Sequence, residues 1–218
     1  MKEEIVDQKR ASLADRLRLA SRERRDLQKQ ELRRQILCAA AELFVEQGYD
    51  HFSLRQVAER IGYSATTIYL YFQNKDDLLF EVVYDGWRRF SEEFVVAAAQ
   101  GGDPVERLRS MGRCYIRFGL DNPAVYDLMF VQRTDFLVHE NLHSEGKPLD
   151  LFEVLCAGVR DAIDAGLFRP GDVVTYSDAI WAAAHGIVSL CPNMIDDERR
   201  ERAIEVVLSM CLDGLRAC

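Results

Sequence analysis

The stretch Ser53-Leu54-Arg55-Gln56-Val57-Ala58-Glu59-Arg60-Ile61-Gly62-Tyr63-Ser64-Ala65-Thr66-Thr67-Ile68-Tyr69-Leu70-Tyr71-Phe72 decides the fold. It reads as two short helices joined by a tight turn. Ser53 and Gln56 have the spacing of a capping box, in which the hydroxyl accepts the N–H three residues on and the amide reaches back. Val57, Ala58 and Ile61 recur at helical spacing and predict one buried face. Gly62 stops that helix, because glycine reaches positive φ without steric cost. Ser64 caps the second helix, which buries Ile68 and Phe72 and leaves Ala65, Thr66, Thr67, Tyr69 and Tyr71 to point elsewhere. Small and hydroxyl-bearing residues at a helix start, followed by tyrosines, suit the edge of a DNA major groove. The blander alternative is a plain helical hairpin inside a core.

Upstream, an amphipathic helix begins at Glu31, with Ile36, Ala40, Leu43 and Phe44 on one face and Gly48 at its end. Tyr49 and Phe52 anchor the turn into the hairpin. Three helices of this length make a small bundle with the third exposed on one side. Residues 1–29 form a charged arm, poor in apolar residues and free of glycine and proline. Two readings of it stay open: a solvated helix or disordered tail, or a set of arginines that track phosphates or enter a minor groove.

The net charge of −8 is unevenly spread. Residues 1–34 hold 11 Lys and Arg against 7 Asp and Glu, a surplus of +4; the remainder holds 17 against 29, a deficit of −12. DNA affinity follows local charge near phosphates rather than the total. The acidic remainder would keep unspecific DNA off the rest of the molecule.

The chain has 218 residues, 48% of them hydrophobic and 29% charged, enough for a real core in one large domain or two smaller ones. No run of about 18 apolar residues marks a membrane span, and the charged start is unlike a secretory signal, so a cytoplasmic location is expected. None of the six cysteines, Cys38, Cys114, Cys156, Cys191, Cys211 and Cys218, is paired as C-x-x-C; buried free thiols are expected, with Cys218 the most exposed.

Downstream, Asn74-Lys75-Asp76-Asp77 starts a fourth helix with acids in its first turn, where the dipole favours them. Leu79, Val82, Val83, Trp87, Phe90 and Phe94 form its stripe, and Gln100-Gly101-Gly102 breaks it. Asp103-Pro104 and Asn122-Pro123 each open a further helix. Residues 133–148 read as a loop. Asp150, Val173 and Asp196 mark three later helices, the second apolar on nearly every face. No strand alternation or repeat appears. The prediction is an all-α chain of about nine helices: a charged arm (1–29), a three-helix helix-turn-helix domain (30–80) and a larger helical domain (81–218).

The segment from about Gln30 to Phe80 resembles the TetR family of bacterial transcriptional repressors. The resemblance runs through Ala41-x-Leu43-Phe44, Gly48-Tyr49, Phe52-Ser53-Leu54, Val57-Ala58, Ile61-Gly62-Tyr63-Ser64, Ile68-Tyr69-x-Tyr71-Phe72 and Asn74-Lys75-Asp76-x-Leu78-Leu79. It covers about a quarter of the chain. It implies a homodimer that binds double-stranded DNA at a near-palindromic operator. It puts Ser53, Leu54 and Arg55 at the start of the positioning helix, with Arg55 in reach of a base or phosphate. Ser64 caps the reading helix, Ala65, Thr66 and Thr67 meet base edges, and Tyr69 and Tyr71 contact phosphate and sugar. Lys75 is a phosphate clamp at a helix N-terminus. Histidine is common in the family where Tyr71 stands. Trp181-Ala182-Ala183-Ala184-His185-Gly186, with Asn122 to Phe130, further resembles a subgroup carrying a Trp-x-x-x-His-Gly signature.

The resemblance also implies that the last two helices form a dimer bundle, with Ala179, Ala183 and Gly186 allowing close approach and Ile204, Val207, Leu208, Cys211 and Leu215 on the facing stripe. A small apolar or amphipathic effector is expected in the larger domain. Phe90, Phe94, Met111, Tyr115, Phe118, Met129, Phe130 and Trp181 are candidates for its pocket, though each taken singly reads first as a normal core residue. His185 reads as an orienting hydrogen-bond group or a satisfied core histidine. His139 and His143 have a spacing a metal could use, but they sit in a polar loop without cysteine and read as surface residues; His51 reads as a turn residue. There is no glycine-rich phosphate loop, no G-x-S-x-G and no H-E-x-x-H, so neither catalysis, metal nor cofactor is expected. An effector-independent architectural DNA-binding protein using the same hairpin is the alternative function.

Overall fold

The computed structural model describes the backbone of residues 2–131, 150–191 and 196–217, and side chains from residue 18 onward. Nine helices are described: α1 (Lys2–His51), α2 (Leu54–Ile61), α3 (Ala65–Tyr69), α4 (Lys75–Ala98), α5 (Pro104–Asp121), α6 (Pro123–Tyr126), α7 (Leu151–Asp164), α8 (Val173–Leu190) and α9 (Asp197–Asp213). The architecture is all-α. Contacts divide the chain into two compact units, Met1–Leu79 and Phe80–Cys218. His139, His143 and the whole of the expected 133–148 loop lie outside the described residues, as does Cys218.

In the first unit the arm is helical and continuous with α1, so of the backbone readings left open the helix is the one adopted. Gly48, at φ 73°, interrupts α1 one turn before its end. Ile36, Ala40, Leu43 and Phe44 of α1 are buried with Leu54, Val57, Ile68 and Phe72. Phe52 is buried too, its ring edge-on to Phe44 at 6.3 Å, which fixes the turn into the hairpin. Full burial of one such side chain contributes roughly 1.5–3 kcal/mol. Cys38, expected among buried thiols, faces outward from α1.

The second unit is built around α5, which packs on α6, α7, α8 and α9. Glycines set some of these spacings. A Cβ on Gly112 would stand 2.7 Å from Leu208 of α9, and one on Gly119 2.6 Å from Val188 of α8. On α4, Gly86 makes room for Val125 and Met129 in the same way. Arg113 of α5 holds Glu205 of α9 with two hydrogen bonds, at 2.8 and 2.6 Å, and Arg107 reaches Asp161 of α7 at 2.9 Å. The short helix predicted after Pro123 is not uniform: α6 widens into a π-helical turn over Asp127–Val131. The connection after α7 contains an unexpected strand-like pair, Phe168 with Arg216, braced by Arg169 N–H to the Leu215 carbonyl at 2.9 Å. Among the described residues no helix is long and apolar enough to cross a membrane.

Candidate nucleic-acid interface

The hairpin is fixed by caps at three of its four ends. Ser53 has extended backbone and its Oγ accepts the Gln56 N–H at 3.4 Å. The reciprocal arm of the predicted capping box is absent: the Gln56 amide takes the Ser53 hydroxyl proton at 2.8 Å and donates to Gln47 Oε1 of α1 at 2.7 Å. That exchange ties α2 to α1 instead of closing α2 on itself. At the other end Gly62 adopts φ 73°, with Tyr63 N–H on the Ala58 carbonyl at 2.9 Å and Gly62 N–H on the Glu59 carbonyl at 3.3 Å. This is the double bond pattern that a left-handed glycine closes after a helix. Ser64 then accepts the Thr67 N–H at 3.2 Å.

The side chains divide cleanly. Arg55, Ser64, Thr66 and Tyr69 are exposed, and Ala65, Thr67, Tyr71, Ser53 and Lys75 are half-buried. Leu54 corrects the expectation: at 4% exposure its side chain belongs to the core of the unit, because it faces α1 together with Val57. Thr67 is only partly available, since its hydroxyl pairs with Ser64 Oγ at 2.9 Å. Two exposed apolar residues beside the reading helix were not singled out from the sequence, Tyr63 at 46% and Leu70 at 80%. The signal for Tyr63 was its place directly after the capping glycine. Arg60 contributes no free cation to this face, being held by Glu46 and Glu42 of α1.

Lys75 opens α4, one residue after Asn74, whose Oδ1 accepts the Asp77 N–H at 2.8 Å. Its Nζ donates to the Tyr49 carbonyl at 2.9 Å and lies 3.7 Å from the centre of the Tyr49 ring. The Tyr49 hydroxyl in turn donates to the Asp76 carboxylate. That bond pushes the Tyr49 hydroxyl up to about 12. Lys75 is thus positioned rigidly with one of its three donors spent on the protein.

In the second unit the structure gathers most of the expected pocket residues. Phe90 lies 4.9 Å from Phe118, 5.3 Å from Phe94, 5.7 Å from Tyr115 and 6.0 Å from Phe130, centre to centre. Trp87 and Tyr126, not assigned to the pocket from sequence, complete the cluster at 5.3 and 4.9 Å from Phe130. Met129 packs on α4 at Gly86 and Met111 faces α7 at Gly158. A polar chain crosses the cluster. Trp181 Nε1–H donates to the Tyr115 hydroxyl at 3.0 Å, that hydroxyl meets Tyr126 Oη at 2.9 Å, and both tyrosines reach His185 Nδ1. An indole N–H only donates, so the Tyr115 oxygen is the acceptor of the Trp181 bond. Burial pushes both tyrosine hydroxyls up, Tyr126 furthest, so both remain protonated donors.

The expected dimer stripe needs correction. Ile204, Leu208 and Leu215 are buried within the chain, where α9 packs on α8 and α5 and Leu208 lies against Gly112. Val207 and Cys211 are half-buried, as are Ala183 and Gly186, while Ala179 is exposed. The large apolar residues that α8 and α9 expose are Val174 at 52%, Trp181 at 41%, Leu190 at 61%, Val206 at 55% and Met210 at 72%.

Comparison with known proteins places this geometry. A family model described as "Bacterial regulatory proteins, tetR family" matches residues 36–82, and one described as "Tetracyclin repressor-like, C-terminal domain" matches residues 108–192. The two matches together span more than half of the chain. The chain is 38% identical over 79 residues to the HTH-type transcriptional regulator HbdR of Aromatoleum, 36% of this chain and 34% of that one. It is 32% identical over 99 residues to the HTH-type transcriptional repressor KstR of Mycolicibacterium smegmatis, 45% of this chain and 48% of that one. The matched region thus spans less than half the length of these curated relatives. Among solved structures, the TetR family regulator PfmR of Thermus thermophilus superposes with a TM-score of 0.69 at 25% identity, over 84% of this chain and 99% of that one.

Proposed function

Because the chain belongs to the TetR family of DNA-binding transcriptional regulators, which are not enzymes, we propose that it acts as a homodimeric repressor released from its operator by a small-molecule effector. Each protomer reads one half of a near-palindrome in double-stranded DNA in the cytoplasm. The observation that carries this reading is the exposed face of α3 and the start of α2. Arg55, Thr66 and Tyr69 stand outward on a hairpin whose inner face, Leu54, Val57, Ile68 and Phe72, is locked in the core. Ala65, Thr66 and Thr67 meet base edges, Arg55 a base or phosphate, and Tyr69 and Tyr71 phosphate and sugar. Lys75 directs its two remaining donors at a phosphate.

Self-association runs through α8 and α9, where Val174, Leu190, Val206 and Met210 supply apolar area and Ala179, Ala183 and Gly186 supply close approach. The effector is small and apolar or amphipathic. It takes its apolar contacts from the Phe90 cluster and a hydrogen bond from the His185 chain. It acts by binding more tightly to a state whose two reading helices no longer fit successive major grooves.

The test is footprinting with purified protein on DNA flanking its own gene. A protected near-palindrome is expected, and a compound that raises the melting temperature should release it. Tyr69→Ala and Lys75→Ala should weaken binding to all sequences, whereas Arg55→Ala and Thr66→Ala should change base preference. Absence of any protected site, with uniform affinity for unrelated duplexes, would defeat the reading.

A further inference from the structure

The helical form of the arm gives its charges a geometry. Arg18, Arg22, Arg25, Lys29 and Arg33 are spaced four, three, four and four residues apart. At 3.6 residues per turn that spacing puts all five on one side of α1. The same line continues through Ile36, Ala40 and Leu43, which are buried against the hairpin. The basic stripe is therefore the outward extension of the very face on which α2 and α3 sit. Its inner end touches the reading hairpin: the Arg33 guanidinium lies 5.9 Å from the centre of the Phe72 ring. Asp26 borders the stripe, and Arg24 points away from it. Glu23 and Glu31 lie on the other side, and Arg34, also there, is paired with Glu31 at 2.7 Å. From Arg18 to Lys29 the stripe side chains are exposed, and no apolar surface explains the alignment.

We propose that this stripe is a second DNA-contacting element, a sequence-independent phosphate rail that runs beside the duplex next to the half-site read by α3. The inference rests on the reading of α2 and α3 as the DNA reader. At 1.5 Å per residue the stripe from Arg18 to Arg33 is about 22 Å long, which matches roughly six or seven base-pair steps of 3.4 Å. Guanidinium and ammonium groups at this spacing neutralise phosphates and release counterions without selecting a base.

The experiment compares the full chain with the quadruple variant Arg18→Ala/Arg22→Ala/Arg25→Ala/Lys29→Ala, leaving Arg33 on its ring. Alanine keeps the helix, which circular dichroism verifies. Salt dependence of binding is measured on two duplexes, the protected site and an unrelated one of equal length, so the rail is tested even if no operator is found. Each phosphate contact contributes about 0.9 to the slope of log affinity against log salt, so the variant slope should fall by about 3–4 on both duplexes. The hydroxyl-radical footprint should shorten on its outer side while base preference is kept. Arg24→Ala, off the stripe, should leave the slope within about 0.3 of the parent.

An unchanged slope in the quadruple variant overturns the proposal. So does an equal loss per charge from Arg24→Ala, which would make net charge rather than the stripe responsible. So does a variant that alters only self-association in sedimentation, which would assign the stripe to an acidic protein surface. Failure of the repressor reading looks different: no preferred duplex, with the rail slope still present on both.

Discussion

Replacing Gly119 with alanine probes how α5 and α8 are held together. The added Cβ would stand 2.6 Å from Val188 Cγ1 and 2.9 Å from Tyr126 Cδ2, well inside the separation of about 3.5–4.0 Å at which carbon atoms attract. Neither neighbour yields easily. Val188 is β-branched and buried, and the Tyr126 ring is held between Phe130 and its hydrogen-bonded hydroxyl. Overpacking of this kind costs about 1–3 kcal/mol, offset by about 0.8–1 kcal/mol from replacing glycine within a helix. The net expectation is a loss of up to about 2 kcal/mol, with roughly 2–4 °C of melting temperature per kcal/mol in a chain of this size. Val188→Ala alone deletes two buried methyl groups and should cost about 1–3 kcal/mol. In the double variant the new methyl occupies part of the space that Val188 vacates. The pair should therefore be more stable than the sum of the singles by about 1 kcal/mol or more. Urea unfolding of the full chain, followed by helical circular dichroism, measures all four corners of the cycle. A coupling within about 0.3–0.5 kcal/mol of zero, or a Gly119→Ala protein at least as stable as the parent, would refute the argument.

The remaining expectations are more local. Tyr115→Phe strips the Trp181 N–H of its acceptor, whereas Tyr126→Phe leaves the Tyr115 hydroxyl 3.1 Å from His185 Nδ1 and free to donate to it. The first should cost about 1–3 kcal/mol and the second about 0.5–1.5 kcal/mol; a thermal melt that ranks them the other way would refute the role of Tyr115 as the acceptor of the Trp181 N–H. The Tyr49 hydroxyl, pushed up from 10 to about 12 by donating to Asp76, contributes stability that is complete below pH 10 and lost as pH rises through 12. In Tyr49→Phe that part of the alkaline decline should vanish, as read by urea midpoints across that range. Among the described thiols, Cys38 should react first with a maleimide at neutral pH. Cys114, pushed up to about 11 by burial and by Glu93, should lag far behind it in a mass-spectrometric time course.

Elements whose ends carry their own chemistry were readable from the sequence. Ser53, Gly62, Ser64, Asn74, Asp103 and Asp150 each fix a helix boundary by a local bond or a local φ, and nearly every one does so as the residue type predicts. What the sequence concealed depends on partners far along the chain. Gln56 looked like a local cap, but Gln47 of α1 competes for its amide and wins. Leu54 sits in a motif of contact residues, yet its direction is set by packing on α1. On the last helix, periodicity identifies an apolar stripe without saying whether it faces its own chain or another molecule; Ile204, Leu208 and Leu215 are buried within the chain, where α9 packs on α8 and α5. The aromatic candidates on α4, α5 and the segment after Pro123 lie together in one cluster. Trp87 and Tyr126 join that cluster without a signal in the sequence, because membership of a cluster depends on which helices meet, not on spacing within one.

The widened turn at Asp127–Val131 has a genetic consequence. A π-helical turn holds one residue more than the α-helical path it replaces. Deleting a single residue there would leave an unbroken α-helix that is locally more regular and globally wrong. Everything beyond the cut would rotate by about 100° about the axis, carrying Phe130 away from Trp87, Phe90 and Tyr126. Point changes at the outward-facing Val131 should be absorbed, while single-residue deletions between Leu128 and Phe130 should not. Length variation in this part of the chain is therefore expected to collect outside the turn, and a library of one-codon deletions scored for folded protein would map its edges.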